Sequence, residues 1–133
     1  MTTKQISVFL ENKTGRLNEV TKALAAHDIN MQAFCIAETT DFGLMRLIVQ
    51  DADHTAAVLR DAGFAVILTD VIQIHCPNVP GALSKILESL AEDDIFIEYM
   101  YAFAQSESAE VIINPNNLLK CLEVLKRKHP EIL

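Results

Sequence analysis

Shifted against itself by 66 residues, the chain repeats: Ile6/Ile72, Asn12/Asn78, Gly15/Gly81, Leu17/Leu83, Leu24/Leu90, Ala25/Ala91, Asp28/Asp94 and Ile29/Ile95 are identical. Eight identities over the 24 positions from 6 to 29 exceed chance by a wide margin, and Val8/Ile74 and Val20/Ile86 are near matches. No other feature constrains the fold as much. Whatever one half folds into, the other half must fold into as well, and the chain is a duplication. With 133 residues, half of them hydrophobic, it has material for one ordinary domain or two very small ones sharing a core.

Both copies read in the same order. In "QISVFL", Ile6, Val8 and Leu10 alternate with Gln5, Ser7 and Phe9, the period of a strand. A glycine loop follows. Then Leu17, Val20 and Leu24 recur at helical spacing, as do Leu83, Ile86, Leu87 and Leu90 in the second copy. "INMQAFCIAE" predicts a second strand, "TTDFG" a hairpin turn, and "LMRLIV" a third strand. Asp51 and Asp53 stand where a helix start wants an N-cap, Gly63 ends that helix, and "FAVIL" is a fourth strand. Copy two follows with "VIQIHC", "GALSKILESLAED", "IFIEYMYAFA", "AEVIIN" and "NNLLKCLEVLKRK". The order β-α-β-β-α-β is the ferredoxin-like split unit. The expected class is therefore α+β: two tandem βαββαβ units, residues 1–70 and 71–133, with antiparallel sheets and helices on one face. Only Thr69 and Asp70 separate the fourth strand of the first copy from the first strand of the second.

The second copy is short of its last strand. Pro130 stops the final helix, and Ile132 and Leu133 begin a strand without completing it. The last strand is either truncated or supplied at that edge by another chain. In the second strand of this copy, Ile95, Ile97, Tyr99, Tyr101 and Phe103 alternate with Phe96, Met100, Ala102 and Ala104, and Glu98 is the only charge. A strand apolar on both faces is buried on both. Helices cover one side of such a sheet, so the other is expected to meet a second sheet, most simply in a homodimer.

Charge narrows the partners. Acidic residues outnumber basic ones, 18 to 11, for a formal charge of −7, which argues against nucleic acid and against an anionic membrane surface. No apolar run approaches the roughly 20 residues of a membrane span. The N-terminal stretch lacks the apolar region and cleavage site of a signal peptide. Cys35, Cys76 and Cys121 are an odd set without metal-ligand spacing. These features together describe a reduced, soluble, cytoplasmic protein without a cofactor.

The glycine loops carry the functional reading. A strand-to-helix loop with glycine at its exit leaves backbone N–H groups unpaired at the helix start, where the dipole also favours an anion such as a carboxylate. Gly15 and Gly81 lack the Cβ that would keep a ligand off the backbone. Pro80 presets the entry φ. Asn12 and Asn78 offer donor and acceptor to the ammonium and carboxylate of a zwitterion. The plain alternative is that these are turn and cap residues only.

The doubled unit, with "NKTGRL" and "NVPGAL" at its first strand–helix junctions, resembles the ACT domain family, whose junction pattern is Asp or Asn, any residue, Pro, Gly, any residue, Leu. "NVPGAL" matches it fully; "NKTGRL" departs at Thr14 and Arg16. The resemblance covers nearly the whole chain and is greatest to stand-alone tandem ACT proteins, which have no catalytic domain. It implies a non-catalytic, allosteric regulatory protein that binds a free amino acid at a seam between domains and acts on a client metabolic enzyme. The ligand-binding positions it implies are Asn12, Lys13, Thr14, Gly15, Arg16 and Leu17 in the first copy and Asn78, Val79, Pro80, Gly81, Ala82 and Leu83 in the second. In serine-responsive members the loop Asn works with a second Asn at the start of the partner domain's second strand. The matching positions here are Asn30 and Phe96. If the two domains of one chain pair in that way, Asn78 faces Asn30 and Asn12 faces Phe96, giving one competent site; if like domains pair across chains, Asn12 and Asn30 combine.

Other constellations carry less. His75 and Cys76 are adjacent, and Cys76 lies near a helix start that would favour a thiolate, but neighbours on a strand point to opposite faces. His27, His54, Cys35 and Cys121 show no ligand spacing. Lys126–His129 is a basic cluster at a helix C-terminus, its ordinary place. "EYMYAF" fits a packed sheet core better than a ligand pocket. Two readings compete with the regulatory one: an assembly module whose loops are only turns, and a small hydrolase or redox protein using Cys76.

Overall fold

The alternation of "QISVFL" becomes strand β1 (Thr2–Glu11), followed by α1 (Arg16–Ala26), β2 (Ala33–Glu38), β3 (Phe42–Ile48), α2 (Ala52–Asp61) and β4 (Ala65–Pro77). Then come α3 (Ala82–Glu92), β5 (Ile97–Gln105), β6 (Ser108–Pro115), α4 (Leu118–Lys128) and a 3-10 turn, Pro130–Ile132. The β-α-β-β-α order therefore occurs twice. The structure, a computed structural model, describes residues 1–11, 13–38, 42–105 and 107–133. It divides into two compact units: Lys4–Thr69, and Asp70–Leu133 together with Met1–Thr3.

In the first unit the strands lie in the order β2-β3-β1-β4. β3 pairs antiparallel with both β1 and β2, setting Ile6 opposite Leu47, Val8 opposite Met45 and Leu10 opposite Gly43. Ile6, Val8, Leu10, Met45 and Leu47 form the floor of a core closed by Val20 and Leu24 of α1 and by Ala56 and Leu59 of α2. The expected hairpin turn falls largely on residues 39–41, outside the described residues, while Phe42 and Gly43 are already in β3. The second strand is shorter than its apolar pattern: it starts at Ala33, not at Ile29. Asp51 caps α2, accepting the His54 N–H at 3.1 Å, and Gly63, at φ +91°, turns the chain out of that helix.

Much of the repeat is explained by how α1 and α3 end. Asp28 and Asp94 sit at φ 55° and 58°, in the left-handed region. Asp28 N–H donates to Ala25 O and Ile29 N–H to Leu24 O; Asp94 N–H donates to Ala91 O and Ile95 N–H to Leu90 O. This is the Schellman arrangement, in which the last carbonyls are satisfied and an apolar residue folds back onto the helix. Ile29 packs on the core with Leu24, and Ile95 shares the other core with Leu90. Four of the eight identities are thus one helix-ending device.

In the second unit the order is β4-β6-β5. Ile72 stands opposite Ile113, and Ile74 opposite Val111; they pack under Ile86 and Leu90 of α3 and Cys121, Val124 and Leu125 of α4. Asn117 caps α4 through the Lys120 N–H at 3.1 Å. Arg127 and Lys128, from the basic cluster, reach back to the end of α3: Lys128 Nζ lies 2.9 Å from Asp93 and 3.1 Å from Glu92, and Arg127 3.3 Å from Asp93.

Three expectations need correction here. First, β4 runs unbroken from Ala65 to Pro77, so Thr69 and Asp70 are strand residues rather than a separator. Second, the faces of β5 do not alternate as its sequence suggests. A register shift between Ile97 and Tyr99 inserts one extra residue. Ile97 and Met100 therefore both pack on the helix-covered core, while Tyr99, Tyr101 and Phe103 stay half-buried. Third, no strand begins at Ile132: residues 130–132 form a 3-10 turn, and Ile132 plugs the core at 4% exposure. The strand position beside Gln73 is taken by this chain's own start. Gln73 N–H donates to Met1 O at 2.8 Å, and the Met1 amine donates to Gln73 O at 3.2 Å.

Candidate functional site

From Lys13 and Val79 onward the two glycine loops have the same backbone. Gly15 and Gly81 are both left-handed, at φ 91°, ψ −10° and φ 88°, ψ −15°, and each is the N-cap of its helix. Lys13 N–H donates to Glu11 O, as Val79 N–H does to Pro77 O, and the Arg16 and Ala82 amides return to Lys13 O and Val79 O. Thr14 in place of Pro80 changes none of this. Among the described residues neither helix start has a side-chain cap, whereas α2 and α4 are capped by Asp51 and Asn117. A Cβ built on either glycine would meet no atom within 4 Å. Each loop thus leaves open space where a glycine Cβ would stand, at a helix start that no described side chain caps.

The side chains around the two loops differ sharply. At the first, Leu10 and Glu11 at the end of β1, Lys13 and Thr14 of the loop, Arg16 and Leu17 of α1, Ile36 of β2 and Gly43 of β3 line an open cleft of about 440 Å³. That is within the size range of small-molecule sites. Arg16 is the best fixed of them. Its guanidinium carbon lies 4.2 Å from the Phe64 ring centroid, and its side chain is only 15% exposed. One terminal nitrogen lies 2.5 Å from Glu19 and the other 3.6 Å from Glu11. Among the described residues its buried Nε has no hydrogen-bond partner. Glu11 also lies 3.4 Å from Lys13 Nζ. The repeat places Cys76, Pro77, Val79, Pro80, Ala82, Leu83, Ala102 and Ala109 at the matching positions of the second loop, and none of them is charged.

Among the residues singled out from sequence, Lys13, Thr14, Arg16 and Leu17 meet in the cleft. Asn12 lies outside the described residues. Asn30 is exposed and precedes β2 instead of opening it. Asn78 is exposed and its amide donates to Glu107 O at 2.8 Å; Asn78 and Asn30 belong to different compact units. Val79 is 60% exposed, Pro80 and Gly81 are exposed, and Ala82 and Leu83 are half-buried. Sequence reasoning missed Leu10, Glu11, Ile36 and Gly43. Glu11 was legible as the carboxylate adjoining the loop; Ile36 and Gly43 reach it only through strand pairing.

Cys76 is no thiolate. It is 4% exposed, and burial pushes its thiol up, not down as proximity to a helix start suggested. His75 points elsewhere, with Nδ1 2.5 Å from Glu110. Cys121 is fully buried, its thiol pushed up by burial to about 11. In the native protein at pH 8 an aromatic disulfide reagent is expected to label half-buried Cys35 first, with Cys76 and Cys121 reacting only on unfolding. Labelling of Cys76 at neutral pH as fast as a free thiol would revive it as a nucleophile. Among the described residues, no three His, Cys, Asp or Glu side chains are grouped to hold a metal.

The family described as an ACT domain pair matches residues 1–132. The structure is similar to that of protein BT0572 from Bacteroides thetaiotaomicron, with a TM-score of 0.94 and 55% identity over 99% of this chain and 90% of that one. It shares its fold with the ligand-free regulatory subunit of aspartate kinase from Thermus thermophilus, at TM-score 0.67 and 19% identity over 93% of this chain and 91% of that one. The corresponding subunit from Thermus flavus gives 0.64 and 18% over 93% and 88%. No curated protein matches.

Proposed function

Because the chain belongs to the ACT domain family as a pair of such domains, we propose that it is a non-catalytic regulatory protein that binds a free amino acid at its glycine loops. The observation that carries this reading is the helix start built twice alike, at a left-handed glycine with no side-chain cap and open space before it. A carboxylate suits those donors. Lys13, Thr14 and Arg16 of the first loop are the polar side chains that would add contacts to the ligand there. The protein would work in the cytoplasm as a homodimer without a cofactor. Ligand binding would change domain pairing, and a client metabolic enzyme would read the change. Such coupling requires different ligand affinity in the two states.

Thermal unfolding in the presence of each of the twenty amino acids tests this. A ligand at 100 times its Kd adds about 2.7 kcal/mol, a rise of several degrees in Tm. The reading expects such a shift with one chemical group of amino acids. A second reading, an assembly module, is favoured by Phe34 and Ile36, which are 56% and 51% exposed on the edge strand β2. It expects no shift with any amino acid at millimolar concentration.

A further inference from the structure

We infer that α4 is a contact surface between two copies of this chain, which pair there antiparallel about a twofold axis, Glu123 of each against Lys126 of the other. The inference rests on the homodimer reading and names the surface that carries it.

The second unit leaves one helix face uncovered. Leu119, Leu122, Glu123, Lys126 and Arg127 follow at spacings of three and four along α4 and so share one side of it. They line an open groove of about 470 Å³. The opposite side of the helix, with Cys121, Val124 and Leu125, is taken up by the core, while Leu119 is 77% exposed. The charges of α4 fall into two groups. Arg127 and Lys128 are matched within the unit by Asp93 and Glu92. Glu123 and Lys126 are exposed, and among the described residues neither has an ion-pair partner. The charge that Lys126 does meet is a like one, the Met1 amine. Lys120, about a quarter-turn round the helix from Leu119, does not line the groove.

The duplication supplies a control. It sets Asp53, Ala56, Ala57 and Arg60 of α2 at the positions of Leu119, Leu122, Glu123 and Lys126. Asp53 pairs with Lys4 at 3.4 Å, and Arg60 donates to Val66 O at 3.1 Å. That face is polar, and its charges are satisfied inside the first unit. Of the two helices, only α4 joins exposed apolar surface to unmatched charges of both signs.

Such a pattern is complementary to itself. A purely basic stripe would want an acidic partner, whereas an acid and a base three residues apart match their own copy turned end for end. With the axis level with the midpoint between Val124 and Leu125, Glu123 of each copy meets Lys126 of the other. Leu122 then lies against the aliphatic stem of Arg127, and Leu119 against Pro130, exposed just past the helix end. One helix pair buries less than the roughly 800 Å² per partner of a standard interface, so the association is weak and depends on concentration.

Sedimentation velocity of the full chain, from micromolar to millimolar, tests this. The wild type is expected to associate reversibly. Glu123→Lys and Lys126→Glu each set like charges opposite one another twice, and each is expected to weaken association at least about tenfold. An equimolar mixture of the two variants is expected to regain it, since each supplies the charge that the other lost. Leu119→Ala is expected to weaken it several-fold. The substitutions lie on the solvent side of a helix already packed on its core, so the Tm of each dilute variant should stay close to that of the wild type. If the wild type is a monomer throughout, the homodimer reading itself fails, and the inference with it. If it associates but both charge variants associate as tightly, that reading stands and the inference is overturned. A mixture of the two variants that stays apart would overturn it too.

Discussion

Leu24→Ala and Leu90→Ala are each expected to destabilise the protein by about 2–5 kcal/mol. The two leucines are equivalent by the repeat and are 2% and 1% exposed. Each closes a core from the helix side and also receives the Ile29 or Ile95 amide at its carbonyl, with the isoleucine folded against it. Truncation removes the buried methyl groups and leaves a cavity between a helix and a sheet that other contacts hold apart, so the space cannot close fully. It also takes away the apolar contact that accompanies the Schellman ending. In a chain of this size the loss corresponds to a fall of roughly 10 °C in Tm. Leu119→Ala is the control: Leu119 is 77% exposed on α4, and its truncation should change stability by no more than about 0.5 kcal/mol. Chemical denaturation of the three variants checks the contrast. A loss below about 1 kcal/mol for either core variant would mean that its helix does not depend on that core.

Removing Thr2 and Thr3, so that the initiating Met precedes Lys4 directly, is expected to cost about 1–3 kcal/mol, felt in the second unit. Met1 and Gln73 exchange two backbone hydrogen bonds, and Thr3 Oγ1 adds a contact to Gln73 Oε1 at 3.3 Å. Burial, and Lys126 after it, hold the Met1 amine below the ordinary range of an α-amino group, as expected of a terminus docked on a folded surface. Hydrogen exchange gives the sharpest readout. The Gln73 amide, protected by Met1 O, should exchange faster in the shortened chain, while the Leu90 and Leu24 helices keep their protection. Unchanged exchange at Gln73 would show that the N-terminal residues do not guard that edge.

The fold was legible because its determinants are local and appear twice. The strand period of Ile6–Leu10, the helical spacing of Leu83–Leu90, the cap at Asp51 and the stop at Pro130 each act within a few residues, so a single sequence displays them. The repeat then made each copy a check on the other. The faces of β5 were misread because a bulge at Glu98 shifts the alternation by one residue, and composition carries no trace of it. The length of β2 was misread because Ile29 and Met31 are apolar for another reason: both pack against the first core from outside the strand.

The site divides along the same line. By itself the sequence determined the two loops and their glycines, since a left-handed N-cap is a property of the local backbone that only glycine adopts easily. It also determined that the loops differ in charge. Tertiary structure alone decided that Arg16 lies against Phe64, 48 positions away in the chain, and that Ile36 and Gly43 wall the first cleft. It decided too that Met1 pairs with Gln73 and joins residues 1–3 to the second unit. Those contacts join residues far apart in sequence through strand pairing and packing. Register sets them, and register is a property of the folded sheet rather than of any one segment.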